Sequence, residues 1–378
     1  MITLRTTQVL ILLFISSNLF VNSLLAQDVK KGVWELADTI PNTGIQEHKA
    51  ALLPKDKVLL AGGTVYDANS QKNVVTSKAY IFDLENRKWK PTQSMKHPRS
   101  EHKLITLKNG NVLAIGGGGE TEGKSIHSSC EIYNHKSNKW RQTGSLNIGR
   151  AYAYVTLMKD GRVLLSGGGK GNRGGYRNGC EIFNPTTEKW TLLPNSDAIN
   201  GPVVTLNDGR VMAVMSNFTS IYNPSTEIWE TVDGLKKSRF NYKLIALNNG
   251  TILAIGGATR DGASKTCELF TPALGKWQLT GDINTARTYA FVTVLKDGRV
   301  LIAGGRTKWT DQGPLSTTST ELYDPKDERW TSLSPLNNPT QEAPGVQFSS
   351  GEILIFGGWS GFKGLNTTEI FTVSNKKN

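Results

Sequence analysis

Apolar residues along this chain come in short runs that end on a glycine pair, and the runs recur. "VLLAGG" occupies 58–63, "VLAIGG" 112–117, "VLLSGG" 163–168, "ILAIGG" 252–257, "VLIAGG" 300–305 and "ILIFGG" 353–358, with a degenerate copy, "VMAVMS", at 211–216. A short apolar run bounded by turn residues reads as a buried strand. Tight turns such as "KNGN" (108–111) and "KDGR" (159–162) precede the runs, and Asn-Gly or Asp-Gly between apolar stretches signals a hairpin. Upstream of each turn lies an extended stretch such as "RTYAFVTVL" (287–295). Downstream come "YIFD" at 80, "EIYN" at 131, "EIFN" at 181, "SIYN" at 220, "ELFT" at 268, "ELYD" at 321 and "EIFT" at 369. Trp89, Trp140, Trp190, Trp229, Trp277 and Trp330 follow in phase.

Each unit therefore predicts four antiparallel strands, and a period near fifty residues predicts a repeat architecture whose units bury their faces against neighbours. Units begin near 45, 99, 150, 198, 239, 287 and 340. The last lacks a Trp strand, whereas "GVWELAD" (32–38) is a Trp strand without a unit. Pairing the two closes a ring and removes two open sheet edges. The expected fold is all-β: a seven-bladed propeller of four-stranded blades, in a single domain over 27–378.

The glycine pair, the third-strand aromatic and the spaced Trp together resemble the kelch repeat, in the manner of exported bacterial kelch proteins and the central domain of galactose oxidase. The resemblance covers nearly all of 32–373. It implies the propeller, and it implies a choice of functions, because this fold hosts binding scaffolds and enzymes alike.

Composition narrows the setting. Arg5 followed by "QVLILLFISSNLFV" (8–21) and by Ala26 reads as a cleaved leader over 1–26, and so as a secreted or periplasmic protein. That apolar run is shorter than the ~20 residues a membrane span needs, so no span is expected. The formal charge is +12 with no basic block, which points to acidic glycans or proteins as partners and not to nucleic acid. A monomer is expected. Cys130, Cys180 and Cys267 stand at matching places in different units, so disulfides are not the framework.

The variable segments between second and third strands, and the unit-to-unit connections, share one face, and varied loops on a rigid scaffold usually carry binding. Blade four has almost no such segment ("NFT", 217–219). Arg99, Arg150, Arg239 and Arg287 recur in the connections, with Ile45, Ala198 and Thr340 in the other blades. The kelch resemblance implies arginines that contact an acidic ligand at this mouth. The residues themselves leave a second reading open, ion pairing between strands with the repeated Glu131, Glu181, Glu268, Glu321 and Glu369. Basic side chains at 170, 173, 177, 260, 265, 306 and 308 share the face, and Tyr66, Tyr176, Trp309, Trp359 and Phe362 offer aromatic surfaces. The ligand-binding set is thus Arg99, Arg150, Arg239, Arg287, Tyr176, Trp309 and Trp359. The preferred reading is non-catalytic recognition of an anionic glycan or an acidic protein segment, with no metal and no cofactor.

Two catalytic readings stand behind it. A sugar-acid isomerase like the sialic acid mutarotases would use Arg99 with Glu101 and Glu47. A copper-radical oxidase like galactose oxidase would need two His, two Tyr and a Cys bonded to one Tyr. The pairs His48/Glu47 and His102/Glu101 fall at matching places near the axis, where a metal could bind.

Overall fold

The computed structural model of the chain describes residues 32–41, 45–119, 125–169, 179–196, 198–311 and 313–372. The expected leader, 1–26, and Tyr176 lie outside the described residues. Seven four-stranded antiparallel sheets form the blades of a propeller. Blade one runs, from axis to rim, Lys49–Leu53, Lys57–Ala61, Ala79–Asp83 and Lys88–Thr92, and blades two to six repeat this order. Blade seven consists of Gly345–Gln347, Ile353–Phe356, Thr368–Thr372 and, from the other end of the chain, Val33–Leu36. Val33 faces Thr372 and Trp34 faces Phe371 in that closing register. First strands of neighbouring blades touch all the way round, blade seven meeting blade one.

The second strands explain the uninterrupted apolar runs. Each is packed on both faces, so alternation is lost: Val112–Ile115, for example, is buried at every position. The cores lie between blades rather than within them. Leu113, Ile115 and Ile132 of blade two share one cluster with Val163, Leu165 and Phe183 of blade three. Each rim Trp leans on the third-strand aromatic directly opposite it. The ring centroids are 5.1 Å apart for Tyr133–Trp140 and 5.2 Å for Phe270–Trp277 and Trp34–Phe371. Several indole N–H groups reach back to the preceding blade. Trp34 donates to Thr320 Oγ1 at 3.1 Å, Trp89 to Thr368 Oγ1 at 2.9 Å and Trp277 to Thr219 Oγ1 at 3.0 Å.

The glycine pair does more than end a strand. Gly116 and Gly117 have φ of 58° and 97°, a region open mainly to glycine. A Cβ on Gly116 would stand 2.4 Å from the Arg150 carbonyl oxygen of the next blade. The Gly117 N–H donates to that same oxygen at 2.8 Å. The pair is therefore a backbone clasp between successive blades. Blade four, with Met215 and Ser216 in its place, connects its second and third strands through 215–218 alone.

Cys130, Cys180 and Cys267 are buried free thiols, one in each of three blades.

Candidate functional site

On the uniform-turn face, neighbouring blades are laced by lysines. Lys108 donates to the Lys159 carbonyl, Lys159 to the Asn207 carbonyl and Lys296 to the Ser349 carbonyl. The other face is more varied. Four of its segments, expected as plain loops, fold as small hairpins: Thr64–Asp67 with Lys72–Val75, Ala258–Thr259 with Gly262–Ala263, Arg306–Thr310 with Gly313–Ser316, and Trp359–Ser360 with Lys363–Gly364. Bridges tie these hairpins to the starts of the first strands, as in Thr288 with Arg306 and Gln341 with Trp359.

The in-phase arginines are where the sequence placed them, but they point inward. Arg99, Arg150, Arg239 and Arg287 are all at most 1% exposed. Arg99 donates to the carbonyls of Gly116 (2.7 Å) and Ser129 (2.8 Å), to Ser129 Oγ (2.9 Å) and to Glu131 (3.1 Å). Arg287 repeats the pattern with Gly304, Ser319 and Glu321, and Arg150 and Arg239 pair with Glu181 and Glu268. Each Glu also caps the connection leading to its arginine, Glu131 accepting from the Lys96 and His97 amides. Where the arginine is missing in blades one and four, so is the Glu, replaced by Tyr80 and Ser220. In blade seven Thr340 takes the arginine's place, and Glu369 is met by the side-chain amides of Asn337 and Asn338. Of the two readings the sequence left open, the geometry has the pairing one, and no guanidinium of the four opens onto the mouth.

What does open there is a ring two residues further on. Glu47, Glu101, Tyr152, Asn241, Tyr289 and Glu342 all have φ between 49° and 59°. Left-handed backbone is uncommon for Glu and disfavoured for a bulky residue such as Tyr, and such strain concentrates at functional positions. The ring is knit by its backbone: the Tyr152 N–H donates to the Glu101 carbonyl and the Glu342 N–H to the Tyr289 carbonyl.

Below this ring the axis widens into a cavity of about 280 Å³ between the first strands of blades one, two, five, six and seven. Lys49, Lys103 and Lys243 line it. Lys49 pairs with Glu101 at 3.5 Å. Enclosure by protein, and then Lys49, hold the Lys103 ammonium down to about 8 against the pull of Glu101. Lys243 is exposed toward the lumen yet walled by protein, which lowers its ammonium too, against the pull of Glu342. Burial, and then Glu101, raise the Glu342 carboxyl. No sequence argument singled out these lysines.

The hairpins of blades six and seven carry an aromatic and basic cluster on this face. The Arg306 guanidinium lies 4.5 Å from the Tyr289 ring centroid and 5.2 Å from that of Trp309. Trp309 meets Phe362 edge-on at 6.4 Å. Trp309 is 61% exposed and Phe362 65%. Trp359, on the neighbouring hairpin, is half-buried, and Tyr66 and Phe240 are exposed on the same face.

The two histidines are in the blade junctions. His48 stacks on Phe356 at 5.7 Å, and a Cβ on Gly357 would touch its ring, as one on Gly62 would touch that of His102. Their register-mate in blade five is Tyr242, which donates to the Val214 carbonyl at 2.8 Å. Burial, then Lys49, lower the His48 imidazole to about 3, and the same causes lower His102. Among the described residues no group of three or more His, Cys, Asp or Glu is placed to hold a metal ion.

Comparison with known proteins agrees with this architecture. Kelch motif models match residues 105–147 and 287–337. Kelch-like protein 38 of Homo sapiens is 23% identical over 305 residues, 81% of this chain and 43% of that protein. Alpha-scruin of Limulus polyphemus is 27% identical over 117 residues, 31% of this chain and 12% of that protein. This chain thus spans less than half the length of these curated relatives. Among solved structures, a fungal alcohol oxidase of the AA5 family in complex with copper superposes with a TM-score of 0.73 at 14% identity, over 90% of this chain and 76% of that one, a likeness of fold alone. The chain is a kelch-repeat β-propeller.

Proposed function

We propose that this propeller is a recognition module that takes an acidic segment of a partner protein on the face of the hairpins, anchored at the Arg306, Trp309 and Phe362 cluster. The observation that carries this reading is Arg306 stacked between Tyr289 and Trp309, with Trp309 and Phe362 standing out into solvent on paired hairpins. Exposed aromatics gathered around a cation, on backbone held by strand pairing, form the type of patch at which partners dock. The stacked guanidinium is held for a carboxylate approaching from outside. Kelch-like relatives favour a protein partner over a glycan. The inward-facing arginines brace the wall that positions this patch.

The test is selection of a displayed random-peptide library on the immobilised chain, repeated with Arg306→Gln and Trp309→Ala. Enrichment of Asp- and Glu-rich sequences, lost with either variant while melting is unchanged, is the expected result. Enrichment of sequences without acidic residues, or selection indifferent to both variants, contradicts the reading.

A further inference from the structure

The axial cavity has a charge arrangement that recognition on the hairpin face leaves unused. At equivalent places the first strands present, in ring order, Lys49, Lys103, Tyr154, Pro202, Lys243, Phe291 and Pro344. In a closed ring of seven, blade five stands opposite the junction of blades one and two, three blades away in either direction. The lysines therefore make two poles, Lys49 and Lys103 on one wall and Lys243 on the wall facing them. Between the poles the lining is apolar, with Leu104, Leu244, Phe291, Val292 and Pro344, and it includes no carboxylate. Glu101 is engaged by Lys49, and among the described residues no carboxylate comes within ion-pair distance of Lys103 or Lys243.

We propose that this cavity binds a small linear dicarboxylate, one carboxylate held by Lys49 and Lys103, the other by Lys243, with the methylene chain along Leu104, Leu244 and Phe291. The volume lies just under the ~300–1,000 Å³ of ordinary ligand pockets, which suits a small molecule and excludes a folded segment. Ammonium–carboxylate hydrogen bonds are strongest where bulk water is thinned out, and flexible lysine stems adjust to the chain length. A compact anion or a monocarboxylate satisfies one pole and leaves the other unpaired. Burial, and after it Lys49, lower Lys103 and Lys243, and a bound dianion offsets both by adding to the opposing charges of Glu101 and Glu342 at the mouth. Binding therefore weakens as pH rises through about 8, where Lys103 loses its proton.

The experiment is calorimetric titration of the chain with succinate, glutarate, adipate and pimelate, against butyrate and inorganic phosphate. One dicarboxylate is expected to bind at least about tenfold more tightly than butyrate or phosphate. Lys243→Met is expected to reduce it to the butyrate level, and Trp309→Ala to leave it unchanged, which separates this site from the hairpin cluster. On the unaltered protein, that dicarboxylate should shield Lys103 and Lys243 from acetylation by acetic anhydride, so the test survives a variant that fails to fold. No dicarboxylate preference, phosphate as the tightest ligand, unshielded lysines, or a loss with Trp309→Ala equal to that with Lys243→Met each overturns the proposal.

Discussion

Arg99 and Glu131 meet at 3.1 Å with both side chains closed off from solvent. The pair ties the connection entering blade two to that blade's third strand, and its counterparts do the same in blades three, five and six. Two desolvated charges stabilise little by attraction alone, yet removing one strands the other. Arg99→Met is expected to lower unfolding stability by ~3–5 kcal/mol, and adding Glu131→Met to recover a good part of that. Urea midpoints of the two single variants and the double variant check the non-additivity.

Ring closure depends on Val33–Leu36. Trp34 packs on Phe371 and hydrogen-bonds Thr320, so it serves blades seven and six together. Trp34→Ala is expected to cost ~3–5 kcal/mol, and deletion of 32–38 to expose a sheet edge and cause aggregation. Thermal melts and light scattering read both.

The cysteines should be silent until the fold is lost. Burial pushes the Cys130 thiol up to about 11 and those of Cys180 and Cys267 up to about 12, which denies them thiolate character. A thiol reagent is expected to find none reactive at neutral pH in the native protein and all three after denaturation.

His48 predicts acid lability. Its folded imidazole stays neutral down to about 3, whereas the unfolded one takes a proton near 6.5. The unfolded chain therefore binds more protons between these values, and stability falls as pH drops through that window. His48→Gln should flatten the fall of the urea midpoint between pH 7 and 4, whatever its effect at neutrality. A slope equal to that of the unaltered protein would count against a neutral His48.

The fold was legible because every blade repeats the same physical requirements: a buried second strand, a glycine clasp and a Trp opposite an aromatic. Even the closure could be read, from a Trp strand with no unit beside a unit with no Trp strand. The site was legible only in part. Arg99, Glu101 and Lys103 are spaced two apart, and plain strand alternation would put all three on one face. The left-handed backbone at Glu101 breaks that alternation, so Arg99 turns into the blade while Lys103 reaches the cavity. Nothing in the residue type announces that break, since Glu and Tyr are poor markers of positive φ. The hairpins were hidden for a related reason. The turn joining Arg306–Thr310 to Gly313–Ser316 relies on Gly313 at φ 106°, within a segment whose polarity reads as loop. Trp309 was picked out as an exposed aromatic, but its stacking on Arg306 depends on that hairpin.

The claim that the hairpin face is the recognition surface is tested most directly by hydrogen exchange of the chain with and without a peptide taken from the library selection. Added protection at 306–316 and 359–364, with 108–111 and 159–162 unchanged, is the predicted result. Protection on the lysine-laced turn face, or none at the hairpins while the peptide is bound, would contradict it.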